Sequence, residues 1–177
     1  MADIHRTDAA PNPEAPATIY REEYRPPAWA VPAIRLTFDL GIEKTRVENI
    51  MHVEQQVAGA PLILRGDGIK PAEVTVDGAE HDWRMEGQDL VIPLTSHDHE
   101  VRVVTEIAPS ANTQLMGLYA SNGMLCTQCE AEGFRRITFH PDRPDILSRY
   151  EVRMEGDKAA FPVLLSNGAM VEKGDLR

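Results

Sequence analysis

Apolar and polar side chains alternate along residues 34–40, and this alternation restricts the fold more than any other feature of the chain. Apolar residues occupy every second position and polar residues stand between them: Ile34, Leu36, Phe38 and Leu40 against Arg35, Thr37 and Asp39. Because successive side chains of a strand point to opposite faces, one face of this segment is apolar. The segment is therefore predicted to be a β-strand with one buried face.

Further short apolar segments follow, separated by turns. They lie at residues 46–56, 62–64, 74–76, 90–94, 101–107, 137–139, 150–154 and 161–165. Dipeptides that end in glycine, such as Asp77-Gly78 and Asn167-Gly168, tolerate the positive φ of tight turns. Only residues 112–118 and 144–149 are candidates for short helices. Many short strands without a long helix predict an all-β fold, an antiparallel β-sandwich.

The chain divides into a tail and one domain. Residues 1–18 are rich in Ala, Pro and Asp and contain almost no large apolar side chain, so burial cannot offset the entropy of ordering them. They are predicted to be a flexible, disordered N-terminal tail. Residues 19–177 are predicted to form the β-sandwich, because 177 residues suffice for one ordinary core and not for two.

The charge balance and the lengths of the apolar runs argue against nucleic-acid and membrane partners. The chain carries 18 Lys and Arg against 28 Asp and Glu, a formal net charge of −10. Binding to a phosphate backbone requires clustered basic residues, so a nucleic-acid partner is not expected. No apolar run approaches the roughly 20 residues that span a bilayer, and no signal-peptide pattern opens the chain. A soluble, cytoplasmic chain without membrane contact is predicted.

Two cysteines, Cys126 and Cys129, have the spacing of a redox pair or of half a zinc site. A four-ligand zinc site would need histidines as well, taken from His81, His97, His99 or His140, and a thioredoxin-like pair would need a βαβ unit. The all-β pattern favours ordinary reduced thiols in a packed loop. A redox or zinc-binding switch stays open as an alternative.

The segment around His99-Glu100 begins like the zinc-binding pattern HExxH. That pattern places a second imidazole one helical turn after the first, and Val103 occupies this position. A polar turn with solvated side chains is predicted.

A second glycine-rich segment, residues 66–68, reads Gly-Asp-Gly. It lacks the Gly-Lys-Ser/Thr ending that cradles phosphate. A tight turn accounts for it.

The segment that follows Cys126 holds two carboxylates, Glu130 and Glu132, close to Arg135, Arg136 and Arg143. Buried carboxylates are costly unless they are paired. Composition alone favours a structural loop held by ion pairs.

The sequence also resembles a known family. Residues 127–135 read TQCEAEGFR and residues 141–145 read PDRPD, preceded by Asn112-Thr113 and by Gly117-Leu118-Tyr119. These residues, with others in the same order between residues 19 and 171, resemble the N-terminal domain of the bacterial aminopeptidase N branch of the M1 zinc metallopeptidases. The resemblance implies a saddle-like β-sandwich that packs on a thermolysin-like catalytic domain of the same polypeptide.

The resemblance also implies roles for two residues. Glu130 is expected to bind the free α-ammonium of a peptide substrate, and Gln128 is expected to line the pocket for the first residue. The zinc ligands and the other catalytic groups belong to the catalytic domain, and residues 1–177 contain none of their motifs. The resemblance therefore implies a domain truncated before the zinc catalytic domain. It is expected to bind no metal itself and to be inactive alone.

A different class of function remains open at this point. A free-standing β-sandwich could act as a binding module that engages a protein or a peptide N-terminus through its loops. Its exposed strand edges would then need a cover, for example a second copy of the chain.

Overall fold

The computed structural model describes residue 18, residues 20–95 and residues 97–175. The predicted tail, residues 1–18, lies outside the described residues except for Thr18. The strands are β1 (Trp29–Leu40), β2 (Thr45–Gln55), β3 (Leu62–Leu64), β4 (Pro71–Val76), β5 (Ala79–Glu80), β6 (Arg84–Glu86), β7 (Asp89–Ile92), β8 (Asp98–Ile107), β9 (Gly117–Ser121), β10 (Met124–Gln128) and β11 (Arg149–Gly156). Three short 3-10 helices occupy Arg21–Glu23, Pro109–Ala111 and Phe134–Arg136.

The strands form two sheets and a hairpin. Six strands form the large sheet in the order β11-β1-β2-β8-β4-β5, and three form the small sheet in the order β3-β7-β6. Strands β9 and β10 form a separate hairpin. Neighbouring strands are antiparallel except for β1 and β11, which run parallel. No helix within the described ranges is long and apolar enough to cross a membrane.

The core lies between the large and the small sheet. Ile34 and Leu36 of β1 are 1% and 3% exposed, as their alternation with polar residues predicts. They belong to one buried cluster with residues from both sheets: Met51, Val53, Val101 and Val103 from the large sheet, Leu62, Leu64, Leu90 and Ile92 from the small sheet, and Phe139. The predicted fold class, an all-β sandwich, is confirmed.

Two predicted strands are wrong. Residues 137–139 are buried, but their main chain bonds to side chains of the large sheet instead of joining a sheet: Thr105 Oγ1 donates to the carbonyl oxygen of Ile137 and Asn49 Nδ2 to that of Phe139. Residues 161–165 form no strand: Phe161 packs beside Gly156 of β11, whereas Val163 and Leu165 are 68% and 85% exposed.

Both predicted helices are also wrong. In residues 112–118 the Asn112 side-chain amide donates to the main-chain oxygens of Met116 and Leu118, and Gly117 has a φ of +80°. These bonds fold the segment into a loop that enters β9. Residues 144–149 form a turn that leads into β11. The turn is held by Arg143, whose guanidinium donates to Asp145.

Candidate functional site

The segment that carries Gln128 and Glu130 begins where the hairpin ends. Strand β10 pairs with β9 in a register that places Gln128 opposite Gly117, at the last rung of the ladder. The chain then turns through residues 129–133, where the peptide bond between Glu130 and Ala131 is cis, and enters the 3-10 helix Phe134–Arg136. Residues 128–133 are called the QCE loop below.

Glu130 and Gln128 both lie at the surface of the QCE loop. Within the described part of the chain, no hydrogen bond or ion pair engages the carboxylate of Glu130. Its neighbour Glu132 differs, because it forms an ion pair with Arg135 at 3.2 Å. The prediction of an ion-paired loop thus describes Glu132, whereas the carboxylate of Glu130 is exposed and has no ion-pair partner among the described residues.

Close packing at Gly133 fixes the end of the QCE loop. A methyl group at Gly133 would lie 2.6 Å from Met116 Sδ, 2.7 Å from the carbonyl oxygen of Gln128 and 2.8 Å from the Cα of Cys129. The main-chain N–H of Gly133 donates to the carbonyl oxygen of Cys129 at 2.9 Å. Because only a hydrogen atom fits in this space, the loop closes on itself tightly around Gly133.

Two arginines connect the base of the QCE loop to the rest of the domain. Arg135 lies between Glu132 and Asp142, with its Nε 2.7 Å from Asp142. Burial lowers the pKa of Arg135, but the hydrogen bond to Asp142 and the nearby carboxylates more than offset this, so the pKa stays above its ordinary value. Arg136 forms an ion pair of 2.6 Å with Asp67. Both guanidinium groups are therefore ion-paired and partly buried.

A cleft of about 320 Å³ opens beside these arginines. It is lined by Asp67, Gln114, Met116, Glu132, Arg135 and Arg136. The lining joins the 112–118 loop, the QCE loop and the Gly-Asp-Gly turn, three segments that are far apart in the sequence. Sequence reasoning missed the pairing of Asp67 with Arg136 and of Asp142 with Arg135, because neither the Gly-Asp-Gly turn nor the PDRPD segment indicates which arginine its aspartate contacts.

Cys126 and Cys129 are both free and half-buried. Cys129 packs on a small apolar cluster formed by Val47, Leu118 and Ile137. Burial raises the pKa of the Cys129 thiol, and the charge of Asp142 raises it further. The thiol form is thus favoured, which fits a packing role better than redox or metal chemistry.

Three of the four histidines considered as zinc ligands have other contacts. His99 Nδ1 lies 2.7 Å from Asp77, His81 Nε2 lies 2.6 Å from the carbonyl oxygen of Pro93, and His140 is buried beside Phe134. Across the described residues, no three His, Cys, Asp or Glu side chains come together in a way that could hold a metal ion.

The fold agrees with a comparison against protein families. Residues 29–177 match the model described as the Peptidase M1 N-terminal domain. The chain belongs to this family. The resemblance noted in the sequence is thereby confirmed.

Similar proteins include bacterial aminopeptidases. The chain is 42% identical over 165 residues to aminopeptidase N of Escherichia coli strain K12, and 42% identical over 167 residues to aminopeptidase N of Caulobacter vibrioides. Each match covers 92% of this chain and 19% of the relative, so the chain spans about one fifth of the length of these relatives.

Solved structures give the same result for the fold. A crystal structure of Legionella pneumophila aminopeptidase A in complex with aspartic acid matches with a TM-score of 0.80 at 25% identity, over 88% of this chain and 19% of that one. An M1 zinc metallopeptidase of Deinococcus radiodurans matches with a TM-score of 0.63 at 15% identity, over 73% of this chain and 32% of that one. This second match supports the fold alone.

Proposed function

We propose that this chain is the N-terminal domain of a zinc-dependent aminopeptidase, and that Glu130 binds the α-ammonium of the peptide substrate. The observation that carries the proposal is the exposed carboxylate of Glu130, which has no ion-pair partner among the described residues. The loop around it is fixed by the close packing at Gly133 and by the ion pairs of Arg135 and Arg136. An enzyme that removes one residue at a time must locate the end of its substrate. A contact to the terminal ammonium does this, because an internal peptide bond offers no such charge.

The chemistry of this contact fits the exposed position of Glu130. A charge-assisted hydrogen bond between carboxylate and ammonium contributes on the order of 1.5–3 kcal/mol. Glu130 has no competing partner among the described residues, so binding the substrate breaks no internal ion pair. Gln128, two residues before Glu130 at the end of β10, is proposed to line the pocket for the first side chain of the substrate.

The hydrolysis itself is assigned to a part of the enzyme outside residues 1–177. Support comes from the aminopeptidase relatives, of which this chain covers 19%, and from the M1 zinc metallopeptidases among the structural neighbours. Zinc supplies an activated water and polarises the substrate carbonyl in such enzymes. The described residues of this chain provide no ligand set for the metal.

An apolar surface supports docking of a catalytic domain of the same polypeptide. Strand β11 is an edge of the large sheet, and Tyr150 and Val152 on it are 48% and 37% exposed. The segment after β11 exposes further apolar side chains, including Val163, Leu165 and Val171. An exposed edge and apolar side chains of this kind are usually covered by a partner.

Kinetics of the full-length enzyme test the role of Glu130. Replacing Glu130 by Gln keeps the shape of the side chain and removes its charge. We expect kcat/KM for an aminoacyl-p-nitroanilide to fall by about 10- to 100-fold, mainly through KM, with unchanged zinc content.

The matched control is Glu80→Gln, which removes an exposed carboxylate on β5, away from the QCE loop in the fold. It should leave the kinetics unchanged. Wild-type kinetics in the Glu130→Gln enzyme would contradict the assignment. A separate assay of the 177-residue chain with added zinc should show no hydrolysis above background.

A further inference from the structure

The Gly-Asp-Gly turn at residues 66–68 makes two contacts with the segment that ends the QCE loop. The Asp67 main-chain N–H donates to the carbonyl oxygen of Arg135 at 3.0 Å. The Asp67 carboxylate forms an ion pair of 2.6 Å with Arg136, in which the side chains are 31% and 23% exposed. Asp67 therefore contacts the main chain of Arg135 and the side chain of Arg136.

The turn itself is held firmly by the small sheet. The N–H of Gly68 donates to Gln88 Oε1 at 2.7 Å, and Arg65 exchanges two main-chain hydrogen bonds with His140. A methyl group at Gly66 would lie 2.8 Å from the carbonyl oxygen of Gln88 and would collide with the ring of Phe139. Asp67 thus projects from a turn that has little freedom to move.

The contacts continue from Arg136 to the QCE loop. Arg136 follows the loop by three residues, and its Cβ lies 2.8 Å from the position that a methyl group on Gly117 would occupy. Gly117 is the residue opposite Gln128 in the hairpin. A shift of Arg136 would therefore move the base of the hairpin and the loop together, and with them the carboxylate of Glu130.

We propose that Asp67 is a positioning residue for the QCE loop, acting through Arg136 and through the main chain of Arg135. This inference rests on the proposed function of Glu130. Asp67 makes no contact with the substrate; it determines where the carboxylate of Glu130 is held. Ion pairs near the surface add little to overall stability, so the main effect of losing this one is on the geometry of the loop.

The test is a double-mutant cycle in the full-length enzyme, in which KM and kcat are measured for each variant. The variants are Asp67→Asn, Glu130→Gln and the double substitution, assayed with an aminoacyl-p-nitroanilide. Asn keeps the size of the side chain and the main-chain N–H at residue 67, and removes only the charge that pairs with Arg136. Two further variants change the partner in this ion pair: Arg136→Met removes the positive charge and Arg136→Lys retains it.

If Asp67 positions Glu130, Asp67→Asn raises KM by about fivefold while kcat stays within about twofold. Arg136→Met reproduces this change and Arg136→Lys largely restores the wild-type KM. In the Glu130→Gln background the Asp67→Asn substitution has no further effect on KM, since no carboxylate is left to position. The control Glu100→Gln breaks an exposed ion pair with Arg35 on the large sheet and leaves KM unchanged.

Three results would overturn the inference. If the fold-changes in KM of the two single variants multiply in the double variant, Asp67 acts independently of Glu130. An unchanged KM in Asp67→Asn, beside a raised KM in Glu130→Gln, would refute the role of Asp67 and leave the proposed function intact. An unchanged KM in Glu130→Gln would refute the proposed function, and the positioning role with it.

Discussion

Asn49 Nδ2 donates a hydrogen bond of 2.9 Å to the main-chain oxygen of Phe139, a residue 90 positions away in the sequence, and the bond is wholly buried. Thr105 Oγ1 makes the equivalent bond, also 2.9 Å, to Ile137. Asn49 lies on β2 and Thr105 on β8, and both side chains belong to the buried face of the large sheet. Polar side chains of the sheet thus replace a strand partner for residues 137–139.

This arrangement predicts a cost for replacing Thr105 by Val. The two side chains have nearly the same shape, but Val cannot donate to the carbonyl oxygen of Ile137. A buried main-chain oxygen left without a donor costs about 1–3 kcal/mol. We expect the free energy of unfolding, measured with urea, to fall by that amount.

The control is Thr37→Val on the outer face of β1, where the hydroxyl has no buried partner. It should change the free energy of unfolding by less than about 0.5 kcal/mol. Equal stability of Thr105→Val and the wild type would mean that the bond to Ile137 contributes nothing to the fold.

A second prediction concerns Gly133. Its φ of −84° is accessible to alanine, so Gly133→Ala introduces no backbone strain. The added methyl would contact Met116 Sδ and the main chain of Gln128 at less than 3 Å. Overpacking of this kind costs about 1–3 kcal/mol. The displaced QCE loop should also raise KM in the full-length enzyme.

The matched control for Gly133→Ala is Gly174→Ala, because no atom lies within 4 Å of a methyl group at Gly174. Circular dichroism melts and steady-state kinetics of both variants provide the comparison. If Gly133→Ala behaves like Gly174→Ala in both measurements, the QCE loop is not closed as tightly as the packing indicates.

A third prediction concerns the pH dependence of stability. His140 is 8% exposed, and burial lowers its pKa from 6.5 to about 4; the charge of Asp142 raises it and that of Arg135 lowers it further. Between pH 6.5 and 4 the unfolded chain binds a proton at this residue and the folded chain does not. Stability should therefore decrease as the pH falls through this range, by at most about 1.4 kcal/mol per pH unit and about 3 kcal/mol in total.

Urea unfolding of the chain between pH 7 and pH 4 measures this slope. The variant His140→Gln should lose most of it, although it also loses the contact of His140 Nε2 with the Tyr150 hydroxyl and is less stable at pH 7. The exposed His52 on β2 provides the comparison, with His52→Gln measured under the same conditions. An undiminished slope in His140→Gln would assign the pH dependence to other groups.

The alternation of apolar and polar residues along β1 was sufficient to predict the strand and its buried face. Apolar residues at every second position lie on one face when the segment is a β-strand. Residues 137–139 gave no comparable constraint: a strand was predicted there, but the segment is instead bonded to the side chains of Asn49 and Thr105, which lie on distant strands. The same limit applies to the QCE loop. Its carboxylates and arginines could be identified in the sequence, whereas the pairing of Arg136 with Asp67 depends on how two remote turns pack.

The last prediction concerns the reactivity of Cys129. Burial and the charge of Asp142 raise the pKa of its thiol, so the folded chain holds less thiolate at this residue than an unfolded chain does. The thiolate is the form that reacts with iodoacetamide. In a Cys126→Ser variant, we expect Cys129 at pH 8 to be alkylated more slowly in the folded chain than in urea. The folded-state rate should also continue to rise with pH after the rate in urea has levelled off.

Mass spectrometry of timed samples follows the modification, and the converse variant Cys129→Ser reports Cys126 under the same conditions. The outcome also tests the alternative of a redox or zinc-binding pair. Such a pair needs a thiolate at neutral pH, which would make folded Cys129 react as fast as the unfolded residue, or faster. A fast reaction would therefore contradict the packing role and favour the switch, whereas slow alkylation assigns Cys129 to the apolar cluster beneath the QCE loop.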